Sequence, residues 1–155
     1  MRHLFLLAPA LLASACAMQG LRPGVTAEEV VSKLGPPAVE LRDPDGTRHL
    51  VYPSGPFGLH THMVHVGGDD RLKSVEQVLD DTRFNAISKG MTADELVRLI
   101  GPPWQRVYFG NLRQTAWDYR FRDSWGYVAV LSVMVDDAGL VASRVTQRIE
   151  RDNRR

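Results

Sequence analysis

The stretch GVTAEEVVSKLGPP, residues 24–37, occurs again 66 residues later as GMTADELVRLIGPP, residues 90–103. Eight of the fourteen aligned positions are identical, and most of the others are conservative. A self-similar stretch of this length predicts that the chain contains two copies of one structural unit. We place the first unit at residues 24–80 and the second at residues 81–150.

Each copy of the repeat has the features of a short capped helix. A Thr followed three residues later by Glu is the spacing of a capping box, in which each side chain accepts from a backbone amide of the first turn. The Gly-Pro-Pro that closes each copy is typical of a helix end, because Gly adopts a left-handed conformation and Pro cannot continue the helix. The apolar stripe consists of Ala27, Val30, Val31 and Leu34 in the first copy, and of Ala93, Leu96, Val97 and Ile100 in the second.

Strand-like sequence with short turns follows each predicted helix. The predicted strands are 39–42, 47–52, 59–66 and 72–79 in the first copy, and 105–109, 115–121, 127–135 and 140–149 in the second. Short connections favour antiparallel meanders, and residues 81–87 are typical of a short helical linker. We therefore expect an α+β fold of two tandem helix-on-antiparallel-sheet units, which share an interface because each unit is small.

The N-terminus has the order of a secretory signal. A short basic start is followed by an apolar run from Leu4 to Leu12 that is too short to span a bilayer, then by Ala13-Ser-Ala15 and by the single cysteine, Cys16. This pattern resembles a bacterial lipobox, which implies a signal peptide at residues 1–15, a lipid anchor on Cys16 and a tether at residues 16–23. By the same resemblance, Ala17 favours the outer membrane over the inner membrane.

The second copy also resembles a known family. Residues 89–103, together with Trp117-Asp-Tyr119, are similar to the SmpA/OmlA (BamE-like) domain of outer-membrane lipoproteins. The resemblance implies a periplasm-facing lipoprotein on the outer membrane and, as a partner, the machinery that inserts β-barrel proteins. Two tandem copies are similar to the layout of the β-lactamase-inhibitor-protein-like fold.

The charge balance and the cysteine count exclude several kinds of site. The chain has 19 Lys and Arg against 18 Asp and Glu. Removal of residues 1–15, which contain Arg2 and no acid, leaves 18 against 18. A neutral chain argues against a nucleic-acid partner, since such proteins concentrate basic charge. A single cysteine excludes an internal disulfide or a multi-cysteine metal cluster, and the basic tail 151–155 is expected to be solvated.

Neither a metal site nor a catalytic constellation stands out in the sequence. On one strand, His60 and His62 face the same side and His65 the opposite side, and no nearby Cys or carboxylate completes a tetrahedral shell. No base accompanies Ser54, and the Asp pairs at 69–70 and 136–137 occur at matching hairpins, as turn residues do. We therefore expect a protein that is not an enzyme and has no cofactor.

Aromatic and arginine side chains in the predicted loops are the candidate binding residues. Trp125, in the loop at residues 123–126, is the leading exposed anchor, and Phe57 is at the centre of the corresponding loop of the first copy. The full set of predicted partner-binding residues is Trp125, Arg122, Phe109, Arg113 and Phe57. The first four are expected to form one contact patch, because aromatic and arginine residues together are the composition found at interface hot spots. The expected function is a protein-binding scaffold in envelope biogenesis, accessory to β-barrel assembly. The alternative is an inhibitor-like or receptor-like periplasmic binding module with another protein partner.

Overall fold

The computed structural model describes Met18 and residues 20–149. The predicted signal peptide, Cys16 and the basic tail 151–155 therefore lie outside the described residues, as does part of the tether. None of the described helices is long and apolar enough to cross a membrane.

The described chain forms two antiparallel sheets of four strands each, and within each sheet consecutive strands pair with each other. The first sheet consists of β1 (Val39–Arg42), β2 (Arg48–Pro53), β3 (Thr61–Val66) and β4 (Leu72–Gln77), and the second of β5 (Gln105–Phe109), β6 (Gln114–Arg122), β7 (Val128–Asp136) and β8 (Val141–Arg148). The helices are α1 (Ala27–Leu34), α2 (Asp81–Ala86) and α3 (Ala93–Ile100). The predicted meanders are confirmed.

The expected α+β class of helix-on-sheet units is wrong, because the chain is mostly β. Each repeat helix has eight residues, or about two turns at 3.6 residues per turn. The capping box, the apolar stripe and the Gly-Pro-Pro end together give a strong local helix signal, but they concern a short segment. The four strands that follow each repeat helix decide the fold class.

The predicted capping boxes are confirmed in both copies, whereas Gly35 and Gly101 have a positive φ with a ψ near 180°, outside the left-handed helical conformation that was expected. The Thr26 hydroxyl accepts from the Glu29 backbone amide, and the Glu29 carboxylate accepts from the Thr26 backbone amide. Thr92 and Glu95 repeat these contacts. These hydrogen bonds lower the pKa of both Glu carboxyls.

The duplication extends to hydrogen bonds beyond the repeated motif. The Tyr52 hydroxyl donates to the Gly35 carbonyl at 3.1 Å, and the Tyr119 hydroxyl donates to the Gly101 carbonyl at 3.2 Å. A register shift interrupts the pairing of the third strand with the fourth in each sheet, after His65 in the first and after Met134 in the second. Two chain segments that share these irregularities adopt the same local structure, as the repeat predicts.

Each unit has its own apolar core. Leu96 and Ile100 of α3 join a cluster with Phe84 of α2 and with the inward-facing residues of the second sheet. Val30 of α1 belongs to a smaller cluster in the first unit. The members of the larger cluster that lie on the second sheet are Trp117, Tyr119, Phe121, Ala129, Leu131, Val133, Val135 and Val141.

The two units meet where α3 ends. A Cβ atom placed on Gly101 would lie 2.8 Å from Thr61 Cγ2 and 3.0 Å from Val51 Cγ1, both in the first sheet. On α3, Arg98 donates to the Asp43 carboxylate at 2.8 Å and to the Arg42 carbonyl at 3.2 Å. The expected interface between the copies is therefore present.

Gly35 and Gly101 provide a matched pair of substitutions that measures this junction. Both have a positive φ, +82° and +80°, so Ala strains the backbone at either position by about 1–3 kcal/mol. A Cβ on Gly35 meets nothing within 4 Å, whereas Gly101→Ala also forces an atom against two buried β-branched side chains. We expect Gly101→Ala to lower the free energy of unfolding by about 1–3 kcal/mol more than Gly35→Ala, as overpacking does. Urea unfolding of the two variants measures this difference, and equal losses would contradict the proposed close packing.

Candidate functional site

The two aromatic residues predicted as anchors are strongly exposed. Trp125, in the hairpin between β6 and β7, is 79% exposed, and Phe57, in the loop between β2 and β3, is 83% exposed. Two side chains of this size in water carry a hydrophobic cost that a binding partner can remove.

Asp123 fixes the hairpin that carries Trp125. Its carboxylate accepts from the backbone amides of Trp125 and Tyr127 at 3.0 and 2.8 Å, and from the Arg148 guanidinium at 2.6 Å. Burial alone would raise the pKa of the Asp123 carboxyl, but these hydrogen bonds and the Arg148 charge lower it below its ordinary value. The loop therefore presents Trp125 on a backbone that is held in place.

The structure divides the predicted partner-binding residues between two ends of the second sheet. Arg122 ends β6 beside the Trp125 hairpin, whereas Phe109 ends β5 and Arg113 lies in the β5–β6 hairpin. Since β6 has nine residues and a strand rises about 3.4 Å per residue, the two ends are roughly 27 Å apart. The expectation that these residues form one contact patch is therefore not met, because successive hairpins of a meander lie at opposite ends of the sheet.

Phe57 joins the Trp125 end through a residue that the sequence reasoning missed. The Arg120 guanidinium lies 5.9 Å from the centroid of the Phe57 ring, a contact between the two units. Strand alternation could have identified Arg120, because residues 120 and 122 share the face opposite to the core residues Tyr119 and Phe121.

A groove of about 730 Å³ lies at this end of the second sheet. Across the sheet, Arg122 pairs with Val128 and Arg120 pairs with Val130, so the two arginines and the two valines share one face. We call this groove, with its flanking residues Trp125 and Phe57, the arginine groove. The residues that line it are Arg120, Arg122, Gly126, Tyr127, Val128, Arg148 and Ile149.

The histidines of β3 and its neighbours form two separate pairs. The rings of His60 and His62 stack with centroids 6.0 Å apart, and burial together with the nearby His60 lowers the pKa of His62. On the other face of β3, Nδ1 of His65 lies 2.7 Å from Nδ1 of His49. Within the described part of the chain, no group of three or more His, Cys, Asp or Glu side chains is placed to hold a metal ion.

The His49–His65 pair is part of a polar chain that the sequence reasoning missed. Nε2 of His49 lies 2.6 Å from the Asp43 carboxylate, so it donates there when the ring is neutral and leaves Nδ1 to accept from His65. Nε2 of His65 is then a buried acceptor, 3.6 Å from the Glu76 carboxylate. Asp43 and Glu76 also bind Arg98 of α3 and Arg83 of α2, respectively. The chain therefore lies at the junction of the two units.

The polar residues that were considered for catalysis have structural contacts. The Ser54 hydroxyl donates to the His60 carbonyl at 2.7 Å and accepts from the His60 amide, which closes the loop around Phe57. Asp69 accepts from the Arg71 amide, and Asp136 accepts from the amides of Ala138 and Leu140. The prediction that these two Asp residues shape turns is confirmed.

No protein-family model matches the chain, and a search of curated proteins finds no significant match. The functional assignment therefore depends on the sequence motifs and on the geometry of the arginine groove.

Two half-buried histidines, His62 and His65, predict a loss of stability in mild acid. Burial lowers the pKa of His65, with Glu76 opposing the shift, and it also lowers the pKa of His62. Below about pH 6.5 the unfolded chain therefore binds protons that the folded chain does not. We expect the free energy of unfolding to be level between pH 8 and 7 and to fall as the pH drops toward 5.5, by at most about 1.4 kcal/mol per pH unit for each histidine.

Urea unfolding across this pH range, with the His62→Gln, His65→Gln and doubly substituted proteins, measures the effect. Each single substitution should remove part of the slope and the double substitution most of it. An unchanged slope in the doubly substituted protein would show that other groups cause the pH dependence.

Proposed function

We propose that this protein is a lipid-anchored, periplasm-facing protein of the outer membrane that serves as a non-enzymatic binding scaffold. Its proposed role is in envelope biogenesis, as an accessory of the machinery that inserts β-barrel proteins. The role in barrel assembly rests on the resemblance of residues 89–103 to the SmpA/OmlA (BamE-like) motif.

The observation that carries the binding role is the arginine groove. Trp125 and Phe57 are 79% and 83% exposed, and the groove beside them contains arginine and aliphatic side chains. Aromatic and arginine residues dominate the binding energy of protein interfaces, since they bury a large area and also donate hydrogen bonds. A single exposed apolar residue would not indicate a binding site, but here two large aromatic side chains flank the same groove.

The proposed anchor is Cys16, which lies outside the described residues. A lipid-modified cysteine holds a protein on a membrane through the transfer of acyl chains, at about 0.8 kcal/mol for each buried methylene. The described fold begins only a few residues later. The first unit would therefore be held close to the membrane.

The binding role predicts that the arginine groove lies next to another protein in the cell. A photo-crosslinking amino acid placed at position 57 or 125 should give a covalent adduct with an envelope protein after irradiation of living cells. Leu112 is the matched control, because it is 54% exposed and lies in the β5–β6 hairpin at the far end of the same sheet.

The identity of the adduct distinguishes the two candidate functions. Components of the barrel-assembly machinery would support the accessory role, whereas a different periplasmic protein would support the inhibitor-like or receptor-like module. An adduct from position 112 alone would place the binding surface at the opposite end of the second sheet. The absence of adducts at all three positions would contradict the scaffold role.

The anchor makes a separate prediction. Labelled palmitate should be incorporated into the protein in its native host, and the Cys16→Ser protein should lose the label and leave the membrane fraction. A conservative Ser14→Ala substitution serves as the control, because it retains a small residue before the cysteine. Label that persists in the Cys16→Ser protein would refute the anchor.

A further inference from the structure

Arg120 and Arg122 are two of the six arginines within residues 20–149 that have no carboxylate partner. Within residues 20–149, neither forms an ion pair. The arginines that do form ion pairs are Arg42, Arg48, Arg83, Arg98, Arg113 and Arg148. Arg22, Arg71, Arg106 and Arg144 also form no ion pair within these residues. Arg120 and Arg122 are distinguished by lying two residues apart on one strand.

The two guanidinium groups are neighbours on one face of β6. Residues two apart on a strand point to the same side and are about 7 Å apart. Arg122 donates to the Gly126 carbonyl at 2.7 Å. Nε of Arg120 is buried and has no hydrogen-bond partner among the described residues. The present side-chain positions thus leave much of the hydrogen-bonding capacity of both groups for another molecule.

Three arginines, Arg120, Arg122 and Arg148, lie near only two carboxylates, those of Asp118 and Asp123. Asp118, the preceding residue on the same face of β6, accepts from the Ser132 hydroxyl at 2.6 Å and forms no ion pair within the described chain. Asp123 binds Arg148, the third arginine of the groove. The arginine groove therefore has an excess of positive charge where the guanidinium groups of Arg120 and Arg122 lie side by side.

We propose that the arginine groove recognises an acidic segment of a partner protein, with an Asp or Glu carboxylate bound between Arg120 and Arg122. This inference rests on the proposed binding function and specifies the chemistry of the partner. The planar guanidinium group matches a carboxylate in a two-pronged geometry, and rotation of the Arg120 side chain would give its unpartnered Nε an acceptor. Val128 and Ile149, with Trp125 and Phe57 at the rim, would hold an apolar residue beside the carboxylate.

The geometry favours a protein segment over an anionic membrane surface. Trp125 and Phe57 are far more exposed than Arg120, so a flat surface would meet these rings before it reached the sheet face behind them. A narrow chain with a protruding carboxylate can enter a groove of about 730 Å³. Arg148, which is already paired with Asp123, adds little attraction for a broad anionic surface.

A peptide array tests the inference with the purified full-length protein in detergent micelles. The probes are peptides in which Asp or Glu adjoins an aromatic or aliphatic residue, and each is also made with Asn or Gln in place of the acid. We expect the acidic peptides to bind about tenfold or more tightly than their amide counterparts. Arg120→Gln and Arg122→Gln should each remove most of this difference, whereas Arg120→Lys and Arg122→Lys should keep part of it.

Arg144→Gln is the matched control, because Arg144 lies on β8 of the same sheet but pairs with the core residue Val133, on the face opposite to the arginine groove. Circular dichroism confirms that each variant is folded.

Equal binding of acidic and amide peptides, or binding that is confined to vesicles of phosphatidylglycerol, would overturn the inference. Adducts from positions 57 and 125 that persist in the Arg120→Gln/Arg122→Gln protein would overturn carboxylate recognition alone and leave the scaffold role standing.

Discussion

The close approach of Gly101 to Thr61 and Val51 is the contact on which the relative placement of the two units depends. A residue with a side chain would place its Cβ within 3.0 Å of buried atoms of the first sheet, so only glycine allows the end of α3 to reach that sheet. A space of only about 20 Å³ remains beside this contact, between the β2–β3 loop and residues 102–120, which is room for one water molecule at most. The two repeats are thus packed directly against each other, as close-packed interiors are.

This junction explains why two nearly identical sequence motifs have different surroundings. Gly35 and Gly101 have the same backbone conformation and accept the same tyrosine hydrogen bond, but open space surrounds Gly35. In the second unit only, the repeated helix therefore also forms part of the interface between the two units. Its Arg98 reaches the first unit at Asp43 and so also contacts the polar chain that includes His49 and His65.

Local signals in the sequence predicted the individual helices and strands well. They did not predict how distant parts of the chain are arranged. The cap residues Thr26 and Thr92 follow from hydrogen bonding within three residues, so the sequence pattern contains them. The predicted limits of β1 and β5 are also those observed. The fold class was misjudged because a capped helix is conspicuous in sequence even when it is short. Phe109 and Arg113 were grouped with Arg122 because residue type alone does not say which end of a meander a hairpin occupies.

Residues of both units form the arginine groove, so its geometry depends on how the two units pack at their junction. Phe57 belongs to the first unit and contacts Arg120 of the second, whereas Arg122 and Val128 are neighbours within one sheet. A change in the packing at Gly101 would therefore alter the Phe57 side of the groove and leave the Arg122 side unchanged. The loop that carries Phe57 is closed by Ser54 and His60 and lies against Trp104 and Arg120. The duplication thus contributes to the candidate site directly, because a single unit would have the arginines but would lack one of the two exposed aromatic anchors.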